Sequence, residues 1–287
     1  MRKHLLTCLY SFLFFLPLAA PAQTPEQDAT AGAETPASTT PAPQSFVRTF
    51  AYDEWTMFSS PFRKSSYSTR AIKKYVIPFA VVSTALIATD RKTANMLPNS
   101  RDQAVWSGRV SQFGAAYSLA GGAGAMYLIG KATHDRHASE TGWLGLEAIA
   151  HTQVIVFAIK QATNRHRPTT DEIGRGFWNG GDSFPSGHAA TSFALAAVVS
   201  YEYRDHITVP IAAYSLATLV SVSRVSARRH WASDIVAGGS MGFLVGRYIY
   251  RRHHDPNLPG TVVRRGALDR LMPEFGFGRG PTASWTF

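Results

Sequence analysis

The chain predicts an all-α fold, a bundle of about six helices, and three observations carry that reading. Six helix-length apolar segments lie at about 72–89, 109–130, 143–162, 188–203, 207–223 and 234–250, rich in Ala, Val, Leu and Ile and divided by polar loops that hold Pro98, Pro168, Pro185 and Pro210. No strand-like alternation competes with them before the C-terminal tail. Hydrophobic residues make up 45% of the chain and charged residues 17%, which supports a packed core and excludes disorder or a fibre for the main body.

Taken in order, the first 22 residues read as an export signal. Arg2, Lys3 and His4 form a basic start, Leu5 to Leu18 an apolar core, and Ala20-Pro21-Ala22 a small-residue cleavage site. Residues 23–45 follow as a linker in which fourteen of twenty-three residues are Pro, Ala or Thr, too poor in apolar side chains to pack. Residues 46–71 read as an N-terminal arm with Phe46, Phe50, Tyr52, Trp55, Phe58 and Phe62 but little helical periodicity. The helical domain then spans 72–251, and 252–287 is a tail ending in an aromatic run that reads as an extended arm.

Charge and cysteine content narrow the function. The chain carries a net charge of +10, and residues 46–287 alone carry +11, which suits an anionic substrate or a lipid surface. No nucleic-acid motif is present, and an export signal argues against a nucleic-acid partner. The one cysteine, Cys8, lies in the signal, so the mature chain has no disulfide, thiolate metal site or cysteine nucleophile. The stretch Val110 to Gly130 is free of charge and long enough to span a bilayer. If all six segments span, Arg63, Lys64, Arg70, Lys73 and Lys74 lie on the same side as Arg247, Arg251 and Arg252. The positive-inside rule makes that side cytoplasmic and puts the loops at 163–187 and 224–233 outside. A cleaved signal would instead deliver residue 23 to the outside, so cleavage and six full spans exclude each other; both resolutions leave those loops extracytoplasmic.

Those two loops hold the chemistry, in three blocks: Lys160 to Pro168, Pro185-Ser186-Gly187-His188, and Ser223-Arg224 through His230 to Asp234. Lys160 and Arg167 are about two helical turns apart, and Pro168 disfavours helix at Arg167, so the arginine belongs at a loop entrance. Ser186 is a good N-cap, and the free N–H groups of the helix start at Gly187 and His188 form an anion site. His230 and Asp234 are four apart, so a carboxylate meets an imidazole across one turn and holds its tautomer. Three cations, a helix N-terminus and two histidines, one of them oriented by a carboxylate, equip a site to bind a tetrahedral oxyanion and attack it with nitrogen. The other histidines (His134, His137, His166, His206, His253 and His254) read as solvated loop residues.

The three blocks together resemble the signature of the type 2 phosphatidic acid phosphatase superfamily, which also contains class A acid phosphatases and vanadium haloperoxidases. The resemblance implies that His230 is the nucleophile forming a phosphohistidine, that Asp234 orients it, and that His188 protonates the leaving oxygen. It implies that Lys160, Arg167 and Arg224, with Ser186 and the Gly187 N–H, bind the phosphate, and that neither a metal nor a cofactor takes part. The expected activity is extracytoplasmic hydrolysis of a phosphomonoester or pyrophosphate of a lipid or isoprenoid. The alternatives are a soluble periplasmic acid phosphatase acting on small phosphoesters, a vanadate-dependent haloperoxidase, and a non-catalytic membrane scaffold. Retention of both His230 and Asp234 weighs against the scaffold.

Overall fold

A computed structural model describes residues 45–63, 68–97, 100–169, 176–258, 274–277 and 281–284. The export signal and all of the linker except Ser45 lie outside the described residues. The chain divides into two compact units, 1–78 and 79–287.

In the first unit, Phe46–Ser59 forms helix α1, capped by Ser45, whose side chain accepts from the Arg48 N–H. Helix here departs from the extended arm expected of this stretch. Its aromatic residues are compatible with a helix because Phe46 and Phe50 meet across one turn, with ring centroids 5.9 Å apart. A 3₁₀ turn with Pro61 ends the helix. A short turn, Thr69–Ala71, and a π-helical turn, Ile72–Val76, then lead without a break into α2, Ile77–Met96.

The second unit holds the remainder of α2 and α3 (Arg101–Gln112), α4 (Ala116–Ala132), α5 (Arg136–Thr163), α6 (Gly187–Glu202), α7 (Thr208–Ser226) and α8 (Ala232–His253). Among the described residues the fold is all-α apart from one hairpin in the tail, β1 (Glu274–Phe277) against β2 (Pro281–Ser284), in antiparallel register with Glu274 opposite Ser284. The segment expected at 109–130 is two helices. The chain turns at Phe113–Ala115 because the Gly114 backbone lies hard against Val220 of α7 and Ser192 of α6, where a β-carbon has no room. The uninterrupted span read into Val110–Gly130 is therefore absent. Among the described residues, three helices are long and apolar enough to cross a membrane: Ile72–Met96, Arg136–Thr163 and Thr208–Ser226.

The core lies where α5, α6 and α8 meet, around Leu144, Ala148, Ala190, Ala194, Val198 and Ile249, all fully or almost fully buried. Small residues make this contact possible. Gly238, Gly242 and Gly246, one per turn of α8, face the carbonyls of Ser186, Ala190 and Ala194 so closely that a β-carbon at any of the three would collide with backbone. Gly242→Ala is therefore expected to lower stability by about 1–3 kcal/mol through overpacking. A lower Tm of the full chain in detergent would register it.

Candidate active site

The ends of α5 and α7, the starts of α6 and α8 and the loops between them carry every residue singled out from sequence. Helix α5 stops at Asn164, which takes up a left-handed conformation with φ 43°. The following strand of loop is pinned by main-chain bonds, from Ser183 N–H to the Arg165 carbonyl (2.8 Å) and from Trp178 N–H to the Thr163 carbonyl (2.7 Å). This folds 176–186 back over 163–167 and sets the start of α6 beside the end of α5.

His230 sits between α7 and α8, not on a helix, and its backbone N–H donates to the Arg224 carbonyl. It is buried, and its Nδ1–H donates to the backbone carbonyl of Ser183 at 2.7 Å. Asp234 stands further off, 3.5 Å from Nδ1. The expected carboxylate–imidazole hydrogen bond is thus replaced by one to a main-chain carbonyl, because His230 precedes the helix that carries Asp234. The result for the ring is the same: Nδ1 holds the proton, and Nε2 makes no hydrogen bond among the described residues. Burial pushes the His230 pKa down; the nearby Asp234 opposes this without overcoming it.

Asp234 is fully buried in the first turn of α8. It accepts from the Trp231 N–H at 2.9 Å, from the Ser183 hydroxyl and from Arg165. Burial raises its pKa, but the charge of Arg165 and the contacts with His230 and Ser183 outweigh this and hold the carboxyl below its ordinary value. Arg165 is the hub that sequence reasoning missed. It bonds Asp90 (2.7 Å) on α2, Ser233 (2.7 Å) and Asp234 on α8, while Phe177 and Trp231 lie against its guanidinium at 4.6 Å and 5.4 Å. Asp90 also accepts from the Ser233 N–H at 3.0 Å.

The cations gather in front of His230. Arg167 binds Asp182 with two parallel bonds of 2.8 Å and 2.7 Å, and Lys160 donates to the Asp182 carbonyl. The pair raises the Arg167 pKa and, through that same hydrogen bond, draws the Asp182 pKa down to about 2. Arg224 donates to the Ser111 hydroxyl at 3.0 Å, while its Nε is buried and unpaired. Ser186 occupies the N-cap position of α6, but its hydroxyl makes no capping bond and is buried without a partner. Its N–H donates to the Asp234 carbonyl at 3.1 Å, which ties the α6 and α8 starts together. Gly187 opens α6 with its N–H among the orphans of the first turn. His188 follows, half-buried, with no hydrogen bond among the described residues. Burial first, and then the charges of Arg224, His230, Arg167 and Lys160, push its pKa down to about 4. The charges of Arg224, His230, Arg167 and Lys160 thus all bear on this one ring.

Asp90, Arg165, Asp182 and Ser183 were not singled out from sequence. Three of the histidines read as solvated are not: His137 and His206 are buried, and His254 contacts Glu140 and Glu202.

The sequence matches the PAP2 superfamily over residues 141–257, a stretch that includes all eight predicted residues. The chain is 41% identical over 105 residues to lipid A 1-phosphatase of Porphyromonas gingivalis, an alignment covering 34% of this chain and 24% of that protein. It thus spans about a quarter of that relative's length. Two crystal structures are also similar. One is Aquifex aeolicus LpxE, with a TM-score of 0.45 and 20% identity over 57% of this chain and 94% of that one. The other is a transmembrane PAP2 type phosphatidylglycerolphosphate phosphatase from Bacillus subtilis, with a TM-score of 0.44 and 21% identity over 63% and 88%. Residues 141–257, which carry the three motif blocks at one end of the helix bundle, match the PAP2 superfamily.

Proposed function

We propose that the chain is a phosphatase that hydrolyses a lipid or isoprenoid phosphate on the extracytoplasmic side of a membrane through a phosphohistidine at His230. The observation that carries this reading is the buried imidazole with Nδ1 fixed on the Ser183 carbonyl and Nε2 uncommitted, facing a cluster of cations. Lys160, Arg167, Arg224, the Ser186 hydroxyl and the Gly187 N–H take the phosphate oxygens. The Nε2 lone pair forms the N–P bond as the P–O bond to the leaving group breaks, and His188 gives that oxygen a proton. His188, now neutral, takes a proton from water as the water attacks phosphorus, releasing inorganic phosphate and restoring His230.

Three span-capable helices support a lipid substrate, as do Ile211, Leu216, Leu219 and Val222, which leave α7 with an exposed apolar flank. The relative named a lipid A 1-phosphatase points the same way. The export-signal pattern of residues 1–22 supports the extracytoplasmic side. The test is a panel of lipid and soluble phosphate esters on purified full-length protein in detergent. Preference for lipid esters is expected; turnover of soluble esters alone would overturn the lipid assignment.

His188 carries a separate expectation. In the free enzyme its pKa of about 4 leaves it unprotonated at neutral pH. A general acid must be protonated, so kcat/KM should fall as pH rises from the acid side through that pKa. A bound phosphate dianion favours the imidazolium, so the same limb in kcat should lie at higher pH. His188→Ala should cost roughly 10²–10⁴-fold on an alkyl ester, whose alkoxide needs the proton, and far less on a nitrophenyl ester. Equal losses on the two esters would count against the acid role.

A further inference from the structure

A second cluster of ionisable side chains lies at the other end of the bundle. Glu140 is twenty residues before Lys160 on α5, so the two ends are about 30 Å apart along that helix. There the Nδ1 of His254, at the C-terminal cap of α8, lies 2.9 Å from Oε1 of Glu140 and 3.3 Å from Oε1 of Glu202, the last residue of α6. One donor atom from each of the three residues falls within 4.8 Å of the others. On the far side of the Glu202 carboxylate, Nε2 of His137 approaches Oε2 at 3.0 Å.

Glu202 is the anomaly. Its side chain is 0% exposed, yet neither carboxylate oxygen accepts a hydrogen bond among the described residues; the two imidazole nitrogens approach it without the alignment of one. No lysine or arginine pairs with it there; Arg136, on the same turn as His137, is committed to Asp255 at 3.0 Å. A buried, unbonded carboxylate beside a second carboxylate is costly unless a cation compensates both.

We propose that Glu140, Glu202 and His254, with His137 beside them, bind a divalent transition cation of the zinc type. Bond lengths of about 2.0–2.2 Å in a tetrahedral shell separate neighbouring donor atoms by about 3.3–3.6 Å. The 3.3 Å separation matches that edge, and the 2.9 Å one needs a small opening. Mixed imidazole and carboxylate donors select zinc-like ions over magnesium or calcium. The surroundings already hold the ligands in place: the Asp255 N–H donates to Glu140 Oε1 at 2.7 Å, and the Tyr250 ring stacks on His254 with centroids 4.6 Å apart. A cavity of about 390 Å³ bounded by Tyr127, Lys131, Arg136, Glu140 and Trp143 adjoins the cluster at Glu140. The ion takes no part in phosphate chemistry; it clamps the ends of α5, α6 and α8. Binding through His254 Nδ1 takes the place of its contact with Glu140, and the ring then carries its proton on Nε2.

The experiment titrates Zn²⁺ into full-length protein in detergent after chelator treatment, by calorimetry. One saturable site per chain and a higher Tm with Zn²⁺ are expected. Glu140→Gln and His254→Gln, both at partly exposed positions, should each weaken binding at least about tenfold. His188→Ala and His230→Ala should leave it unchanged. Absence of saturable binding, unaltered binding in both ligand variants, loss of binding in the active-site variants, or tighter binding of Mg²⁺ or Ca²⁺ than of Zn²⁺ would each overturn the proposal. None of these results depends on phosphatase turnover, so the site stands or falls separately from the catalytic reading.

Discussion

Replacing His230 with alanine is expected to abolish both turnover and the trapping of a phosphorylated intermediate, at least about 10⁴-fold by analogy with removal of a nucleophile in other covalent catalysts. His230 is the buried ring whose second nitrogen is held by a backbone carbonyl, so the remaining nitrogen is presented in one tautomer. His188 makes no hydrogen bond among the described residues that would fix its tautomer, which suits a group that picks up and delivers a proton. Rapid acid quench of the wild-type enzyme on a ³²P-labelled ester, followed by peptide mapping, should place the label on His230. Label persisting in His230→Ala would move the nucleophile elsewhere, with His188 the next candidate.

Arg165→Met is the second substitution with a large expected effect. The guanidinium links Asp90, Ser233 and Asp234, and its removal strands two carboxylates that are 3% and 0% exposed. Breaking one side of such a buried network costs about 3–5 kcal/mol. Activity should fall as well, because Asp234 loses the charge that keeps it ionised beside His230. A second substitution separates the two consequences. Asp90→Asn in the Arg165→Met background removes one stranded charge and should recover part of the Tm, while activity stays low because Asp234 still lacks its partner. Full recovery of activity in the double variant would show that Arg165 acts on stability alone.

The residues proposed to hold phosphate were legible because the types and spacing such a role needs are set by chemistry: a tetrahedral oxyanion needs cations and a helix start, whatever surrounds them. The groups that hold those residues in place were not. The apolar segment at about 72–89 stops just before Asp90-Arg91-Lys92, so nothing in it points to Asp90 as a buried group. The helix in fact continues to Met96, and the carboxylate is buried against an arginine 75 residues away. Arg165 sits between Asn164 and His166, two residues before Arg167, and nothing local tells which of the two arginines turns inward. The division of 109–130 into α3 and α4 follows from Val220 on another helix, so no Pro or polar run announces it. His137 and His254 looked solvated because each stands at a helix end beside charged residues; only the packing of α5, α6 and α8 brings Glu202 between them.

The stripe of Gly238, Gly242 and Gly246 also bears on how a lipid reaches the site. With α8 backbone touching α6 backbone for three successive turns, the seam between them is closed to an acyl chain. The lipid ester proposed as substrate would therefore present its headgroup along another face of the bundle, with its tails lying outside that seam. Differences in acyl length or number among substrates should accordingly be felt by the outward helices and not by the α6–α8 pair, which works as a single rigid backplate for the phosphate.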